Sequence, residues 1–143
     1  LAQMWAKLNV KVRVNAMPRV TYFAKMEKFD TSMYMLGWGG SITDAETLFT
    51  PVLRFPGDKG VGLFNYGRVK NDRFEELAKA SSVEPDPRKR EELVKGALRE
   101  ATGSVMVIPL HRQVIPWAMR ANVNVVHRPD NYLTVEWVTV GPK

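Results

Sequence analysis

The fold class is indicated by residues 10–38, which read VKVRVNAMPRVTYFAKMEKFDTSMYMLGW. In residues 10–14, valine alternates with lysine and arginine, and this period of two predicts a half-buried strand. Pro18 suits the first turn of a helix, and the apolar run 33–38 predicts a buried strand. The apolar side of the helix would be formed by Val20, Tyr22, Phe23, Met26 and Phe29. This order of strand, helix and strand predicts two parallel strands joined by a right-handed crossover, and therefore an α/β fold.

Further helices are predicted on both sides of this stretch. The i, i+3, i+4, i+7 spacing at the start of the chain predicts a helix that buries Leu1, Met4, Trp5 and Leu8. Good N-cap residues before later helices are Asp44, Asn71 and Asp86. The helix after Asp86 would end at Gly103, and its inward side would hold Leu93, Ala97, Leu98 and Ala101.

Strands are also predicted in the last third of the chain. Apolar or alternating runs predict strands at 105–110, 123–126 and 134–140. Residues 114–119 surround a proline, which indicates an edge strand or a loop. The glycine-rich segment 54–69 is predicted to be a long loop, and loops of this length are usually functional or mobile.

The composition is that of an ordinary globular domain. The 143 residues are 45% apolar and 25% charged, which excludes a disordered tail or a collagen-like repeat. Thiol redox chemistry and thiolate metal sites are excluded because the chain has no cysteine. A net charge of +6 permits nucleic-acid or lipid binding. The basic residues are not clustered, however, so the charge is explained as well by solubility.

The segment Gly37-Trp38-Gly39-Gly40 is the first candidate for a binding site. It lacks the spacing of a phosphate-binding loop. One interpretation is a tight turn with the indole packed in the core. The other is a ligand site, because glycines let a ligand approach the backbone closely and a tryptophan offers a flat wall with one N–H donor.

Candidate catalytic and metal-ligating residues are sparse. His111 and His127 lie 16 positions apart, without metal-ligand spacing, and a structural or solvated role is the simpler interpretation. Ser104, His111 and Asp130 could form a hydrolase triad, but the chain contains no GxSxG motif to support one. We therefore expect no enzyme, cofactor or metal site. A basic module that binds nucleic acid or a partner protein is one candidate function, although no aromatic residue clearly shares the basic stripes.

The order of these motifs resembles the C-terminal part of the family 5 extracellular solute-binding proteins, the dipeptide-, oligopeptide- and nickel-binding receptors of bacterial ABC importers. The resemblance covers roughly residues 1–130. It is carried in order by the helix at Met4–Leu8, the strand at Val10–Val14, Tyr22–Met26, Met33–Gly40, Asp44, Asn65-Tyr66-Gly67, Asn71, Asp86-Pro87 and Ile108–His111.

This resemblance implies a fold, a function and a location. The chain would form a fragment of one lobe of a two-lobed periplasmic-binding-protein fold, with a mixed sheet flanked by helices. Residues 1–110 would be a partial ligand-binding lobe, and residues 111–143 would return toward the hinge and the other lobe. Such a receptor captures a small solute by hinge closure and delivers it to an ABC permease, in the periplasm or outside the cell near the cytoplasmic membrane. The solute would be a peptide, a sugar or a chelate.

The resemblance also implies site residues. Trp38 matches a tryptophan at the interlobe cleft, with Gly39 and Gly40 after it. Dipeptide and oligopeptide receptors carry an acidic residue three positions after this tryptophan, where the present chain has Ser41. The other contacts would come from Asp44, Asn65 and Tyr66. Since the chain begins within a predicted helix, we expect a fragment that carries one wall of the cleft, binds solute weakly and self-associates through exposed apolar surface.

Overall fold

The computed structural model describes residues 1–39, 42, 44–128 and 130–142. The chain divides into two compact units, Leu1–Met35 and Leu36–Lys143. No helix in the described ranges is long and apolar enough to cross a membrane.

The first unit contains two helices, α1 at Ala2–Ala6 and α2 at Arg19–Glu27. Both helices were predicted, but Pro18 is the N-cap residue of α2 and does not lie in its first turn as predicted. The apolar face predicted to be buried on α1 is exposed at Leu1, Met4 and Leu8. The segment after α2 is attached to it through Tyr22, whose hydroxyl donates to the carbonyl oxygen of Met35 at 2.7 Å and accepts from its N–H at 2.9 Å. Of the side chains predicted to be on the apolar side of α2, Met26 is buried, whereas Val20 and Phe29 are exposed.

The two strands predicted on either side of α2 are not formed. Residues 10–18 and 33–39 run without helix, turn or bend, but no described residue pairs with them as a strand. The prediction of parallel strands at 10–14 and 33–38 is therefore wrong for this structure. The physical reason is that alternation specifies a face to bury, whereas a strand forms only with a hydrogen-bonded neighbour.

The α-helices described in the second unit lie between Glu46 and Gly103. Helix α3 at Glu46–Leu48 continues as a π-helical segment, Phe49–Leu53, and is followed by α4 at Asp72–Val83 and α5 at Pro87–Gly103. Helices α4 and α5 pack against each other. The buried core consists of Phe49, Leu53, Phe74, Ala78, Ala97, Ala101 and Met106.

The predicted helix caps explain where α4 and α5 begin. The Asn71 side chain accepts a hydrogen bond from the N–H of Phe74, and the Asp86 side chain accepts from the first N–H groups of α5, with Pro87 in the first turn. The inward face of α5 is confirmed at Ala97 and Ala101. The prediction is wrong for Leu98, which is 39% exposed. Leu98 follows the buried Ala97, and successive side chains of a helix point about 100° apart.

The sheet is smaller than predicted. It has two antiparallel strands, β1 at Val123–Asn124 and β2 at Thr139–Val140, with Val123 paired to Val140 and Asn124 to Thr139. Residues 135–137 form a 3-10 turn, so the long strand predicted at 134–140 is wrong over most of its length. Helices with a two-stranded antiparallel sheet confirm mixed α and β structure, and correct the prediction of a larger mixed sheet.

The strand predicted at 105–110 is also absent from the described part of the sheet. Residues 114–119 form a loop, which is one of the two alternatives predicted for them. Val105 has a φ of +52°, and the N–H of Met106 donates to the carbonyl oxygen of Ala101 at 3.0 Å. The backbone therefore turns at the end of α5 in the manner of a helix C-cap, instead of entering a strand. This turn brings Met106 into the helical core.

Candidate functional site

Trp38 forms a held, partly exposed aromatic surface. Its Nε1–H donates to the carbonyl oxygen of Thr47 at 2.8 Å, and its ring lies 5.1 Å from the ring of Phe64, tilted by 55°. The side chain remains 40% exposed. Next to it, a Cβ added to Gly39 would meet no atom of the described residues within 4 Å, so the backbone there is open on the side of its hydrogen atoms as far as the described chain extends. An indole fixed at two points beside open backbone can present a flat apolar wall to a small molecule.

A proline explains why the carbonyl oxygen of Thr47 is available to Trp38. In an α-helix this oxygen would accept from the N–H four residues later, but that residue is Pro51, which has no N–H. The helix changes at this point to the π-helical segment, where the N–H of Arg54 donates to the carbonyl oxygen of Phe49 at 2.9 Å. The indole N–H therefore supplies a donor for a helix carbonyl that has lost its α-helical partner.

Phe64 joins Trp38 to a second predicted residue, Tyr66. The rings of Phe64 and Tyr66 are 6.1 Å apart and nearly perpendicular. The loop that carries them is held by the N–H of Phe64, which donates to the carbonyl oxygen of Pro51 at 2.8 Å. We call the three rings of Trp38, Phe64 and Tyr66 the aromatic row.

Asn65, which the sequence predicts as a ligand contact, is buried and holds the backbone of its own loop. The residue is 5% exposed. Its Nδ2 atom donates to the carbonyl oxygens of Leu53, Arg54 and Val69 at 3.2, 3.0 and 2.9 Å. Its Oδ1 atom accepts from the N–H of Val69 at 3.1 Å. Because both amide N–H groups are directed at backbone carbonyls, Asn65 closes the loop that carries the aromatic row.

Asp44 forms an ion pair with a residue far along the chain. Its Oδ1 atom accepts from Nη2 of Arg90 at 2.8 Å and from the N–H of Glu46 at 2.9 Å. Arg90 also donates through Nε to the carbonyl oxygen of Ser81 at 3.0 Å. The hydrogen bond from Arg90 holds the pKa of Asp44 below its ordinary value of 3.8, with help from the Glu46 N–H, and Asp44 raises the pKa of Arg90. Asp44 thus joins the start of α3 to α5, and its charge is already compensated within the protein.

Replacing Asp44 by asparagine is expected to lower the melting temperature near neutral pH by a few degrees, since partly exposed ion pairs contribute little stability. The pKa of Asp44 is lower in the folded state than in the unfolded state. Its contribution to the free energy of unfolding is therefore complete above the unfolded pKa of about 4, and is lost as the pH falls through the lowered folded pKa. Thermal unfolding followed by circular dichroism from neutral to strongly acidic pH tests this.

The control for that measurement is Asp58→Asn, which removes an exposed carboxylate from the loop. We expect Asp58→Asn to leave the melting temperature unchanged near neutral pH. The difference between the wild type and Asp44→Asn should shrink as the pH falls. A difference of constant size over the whole pH range would contradict the role given to the ion pair.

Two predicted site residues, Gly40 and Ser41, lie outside the described residues. Three residues of this region were not found by sequence reasoning, namely Thr47, Phe64 and Arg90. Pro51 is the signal that could have indicated a free carbonyl at Thr47. Phe64 could have been suspected because it precedes Asn65-Tyr66 in the glycine-rich loop. No local signal pairs Asp44 with Arg90, which lies 46 positions later.

The residues of the possible hydrolase triad have other partners. Ser104 donates through Oγ to the carbonyl oxygen of Glu100 and accepts from Nδ2 of Asn71 at 3.0 Å. Asp130 pairs with Arg128, which lowers the pKa of Asp130 to about 2. His111 is exposed. In the part of the chain that the structure describes, no three His, Asp or Glu side chains are grouped so as to hold a metal ion.

The second histidine packs on an aromatic ring. The rings of His127 and Trp117 are 4.6 Å apart, and the indole N–H of Trp117 donates to Oδ1 of Asn131 at 2.6 Å.

Comparison of the chain with protein-family models, curated proteins and solved structures finds no match.

Proposed function

We propose that this chain contributes one wall of a solute-binding cleft in a receptor of an ABC importer, and that the receptor captures a small peptide-like solute without covalent chemistry. On this proposal the chain is a fragment of one lobe of a periplasmic-binding-protein fold outside the cytoplasmic membrane. Hinge closure would follow binding, and the solute would pass to the permease. The observation that carries the proposal is the aromatic row, held by the Thr47 carbonyl and bordered by open backbone at Gly39.

An aromatic wall suits a peptide-like solute for physical reasons. Aromatic rings bury a large area on binding, and the Trp38 ring is already immobilised by its hydrogen bond and its contact with Phe64. A fixed ring loses little conformational entropy when a ligand packs on it. The flat peptide groups and apolar side chains of a short peptide match such a surface.

The charge arrangement limits how the amino terminus of a peptide could be bound. A solute ammonium would have to displace Arg90 from Asp44 to use that carboxylate, because Arg90 already donates to it at 2.8 Å. The neutral Ser41 cannot replace a carboxylate as a partner for an ammonium. The proposal therefore assigns the main contact to the aromatic row and polar contacts to the backbone at Gly39 and Gly40 and to Ser41, while Asp44 stays paired with Arg90.

The indole N–H resonances of the ¹⁵N-labelled chain test the proposal directly. The chain contains four tryptophans, and Trp38→Phe identifies the resonance of Trp38. We expect this resonance to shift on titration with trialanine, with a dissociation constant of about 1 mM or weaker, since only one wall is present. Maltotriose and a nickel–EDTA chelate serve as probes of the other solute classes.

The matched control is Trp117, which is also hydrogen-bonded through its indole N–H but lies outside the aromatic row. Its resonance should not move, and Trp117→Phe should leave the titration of Trp38 unchanged. A Trp38 resonance that responds to none of the three probes at about 10 mM would overturn the proposal. A response to maltotriose or to the chelate alone would overturn the assignment to peptide-like solutes.

A further inference from the structure

The segment 10–14 is a row of exposed, alternating side chains that has no strand partner among the described residues. Val10, Val12 and Val14 are 48%, 36% and 73% exposed. Residues 11–17 make no hydrogen bond to any other described residue and run without helix, turn or bend. The N–H of Val10 donates to the carbonyl oxygen of Trp5 at 3.1 Å, whereas the backbone groups from Lys11 to Met17 have no described partner. Unpaired N–H and C=O groups in such a segment are a template for another strand.

The first unit also lacks a core that could fix this segment from within. Among its described residues only Met26 is buried. Ten large apolar side chains of this unit are exposed: Leu1, Met4, Leu8, Val10, Val12, Val14, Val20, Phe29, Met33 and Met35. A unit of 35 residues with so little buried apolar surface is not stabilised by its own packing. The unit is therefore expected to gain order when it binds another surface.

The charges indicate what kind of strand would fit. Lys11 and Arg13 alternate with the valines, so they occupy the opposite face of the segment when it is extended. The first unit contains six basic and two acidic residues, and one of the acidic residues, Asp30, is already paired with Lys25. Neither Lys11 nor Arg13 has an ion pair with a described residue.

We propose that residues 10–14 bind a protein strand in which acidic and β-branched residues alternate, by strand addition. The valines would pack against the apolar residues of the partner, and Lys11 and Arg13 would face its acidic residues. Opposite charges across neighbouring strands are favourable, whereas like charges directly opposite each other are unfavourable. A second copy of this chain is disfavoured for that reason, because antiparallel pairing about Val12 would place Lys11 opposite Arg13.

The test uses two fluorescein-labelled peptides that differ only in charge, TVEVEVT and TVKVKVT. Fluorescence anisotropy with the full chain should show that the glutamate peptide binds about tenfold more tightly at low salt, since two favourable pairs replace two unfavourable ones. In the ¹⁵N-labelled chain, the amide resonances of residues 11–14 should shift on binding. The variant Lys11→Glu with Arg13→Glu should reverse the preference of the chain for the two peptides.

The matched control variant is Lys79→Glu with Lys89→Glu, which makes the same change in net charge on exposed residues of α4 and α5. It should keep the preference for the glutamate peptide. Equal affinity for both peptides, or amide shifts that do not include residues 11–14, would overturn the proposal. Tighter binding of a labelled oligothymidylate than of the glutamate peptide would assign the segment to nucleic acid instead. Self-association in sedimentation that blocks peptide binding would assign the segment to a second copy.

Discussion

Replacing Phe74 by alanine is expected to remove a large part of the stability of the helical core in the second unit. Phe74 is completely buried on α4, and its ring meets the ring of Phe49 edge to face at 5.3 Å. A buried Phe→Ala substitution costs about 3–5 kcal/mol, a large part of the about 5–15 kcal/mol that stabilises a typical domain. The melting temperature, followed by circular dichroism, should fall by at least about 12 °C.

The matched control is Phe55→Ala, which removes the same atoms from a position in the same unit that is 36% exposed. We expect its effect to be small, because most of the cost of such a truncation comes from burial and from the cavity left behind. Phe74→Leu should restore part of the stability, since it refills part of the cavity. Equal losses for Phe74→Ala and Phe55→Ala would mean that the cluster around Phe49 is not the core of the folded chain.

The helices of this protein could be predicted because their signals are local. Asn71 and Asp86 accept hydrogen bonds from the N–H groups that follow within three residues. Pro87 at the start of α5 follows the same short-range rules. The helix ends at Gly103 as predicted, but the left-handed residue of its C-cap is Val105 and not the glycine. Each of these interactions joins residues within one helical turn, so a short stretch of sequence is enough to predict where the helix begins or ends.

The strands could not be predicted in the same way, because pairing depends on residues far apart. The valine alternation at 10–14 predicts a strand, but no described residue pairs with it. The apolar run at 105–110 is overridden at its first residue by the helix C-cap at Val105. The strands that do form, at Val123–Asn124 and Thr139–Val140, are only two residues long. Alternation therefore indicated which faces are apolar, and not which segments pair.

The candidate site shows the same division between local and distant information. Trp38 could be selected because glycines surround it in the sequence. Its contact with Phe64 spans 26 positions, and the pair of Asp44 with Arg90 spans 46. Asn65 lies where a glycine-rich loop indicates a functional residue, yet its amide holds the loop closed. A polar side chain in a loop can therefore serve the backbone of that loop as well as a ligand.

Replacing Gly62 by alanine is expected to be nearly as damaging as the loss of Phe74. Gly62 has a φ of +65°, and an added Cβ would lie 2.5 Å from both the carbonyl oxygen of Arg54 and the nitrogen of Pro56. A non-glycine residue in the left-handed region costs about 1–2 kcal/mol, and overpacking adds about 1–3 kcal/mol. The atoms in the way belong to the backbone, so the loop itself must move.

A shift of the loop backbone at Gly62 would also disturb the candidate site, because Gly62 lies two residues before Phe64 of the aromatic row. The N–H of Gly62 holds this part of the loop by donating to the carbonyl oxygen of Thr50 at 2.7 Å. Gly62→Ala should therefore shift the indole resonance of Trp38 as well as lower the melting temperature. Gly60→Ala is the matched control, because Gly60 also has a positive φ, +83°, but a Cβ there meets nothing within 4 Å. The melting temperature of Gly62→Ala should fall further than that of Gly60→Ala, and this difference measures the effect of the steric clash without the effect of the positive φ. Equal losses in the two variants, with an unmoved Trp38 resonance, would show that the loop does not pack on the π-helical segment as described.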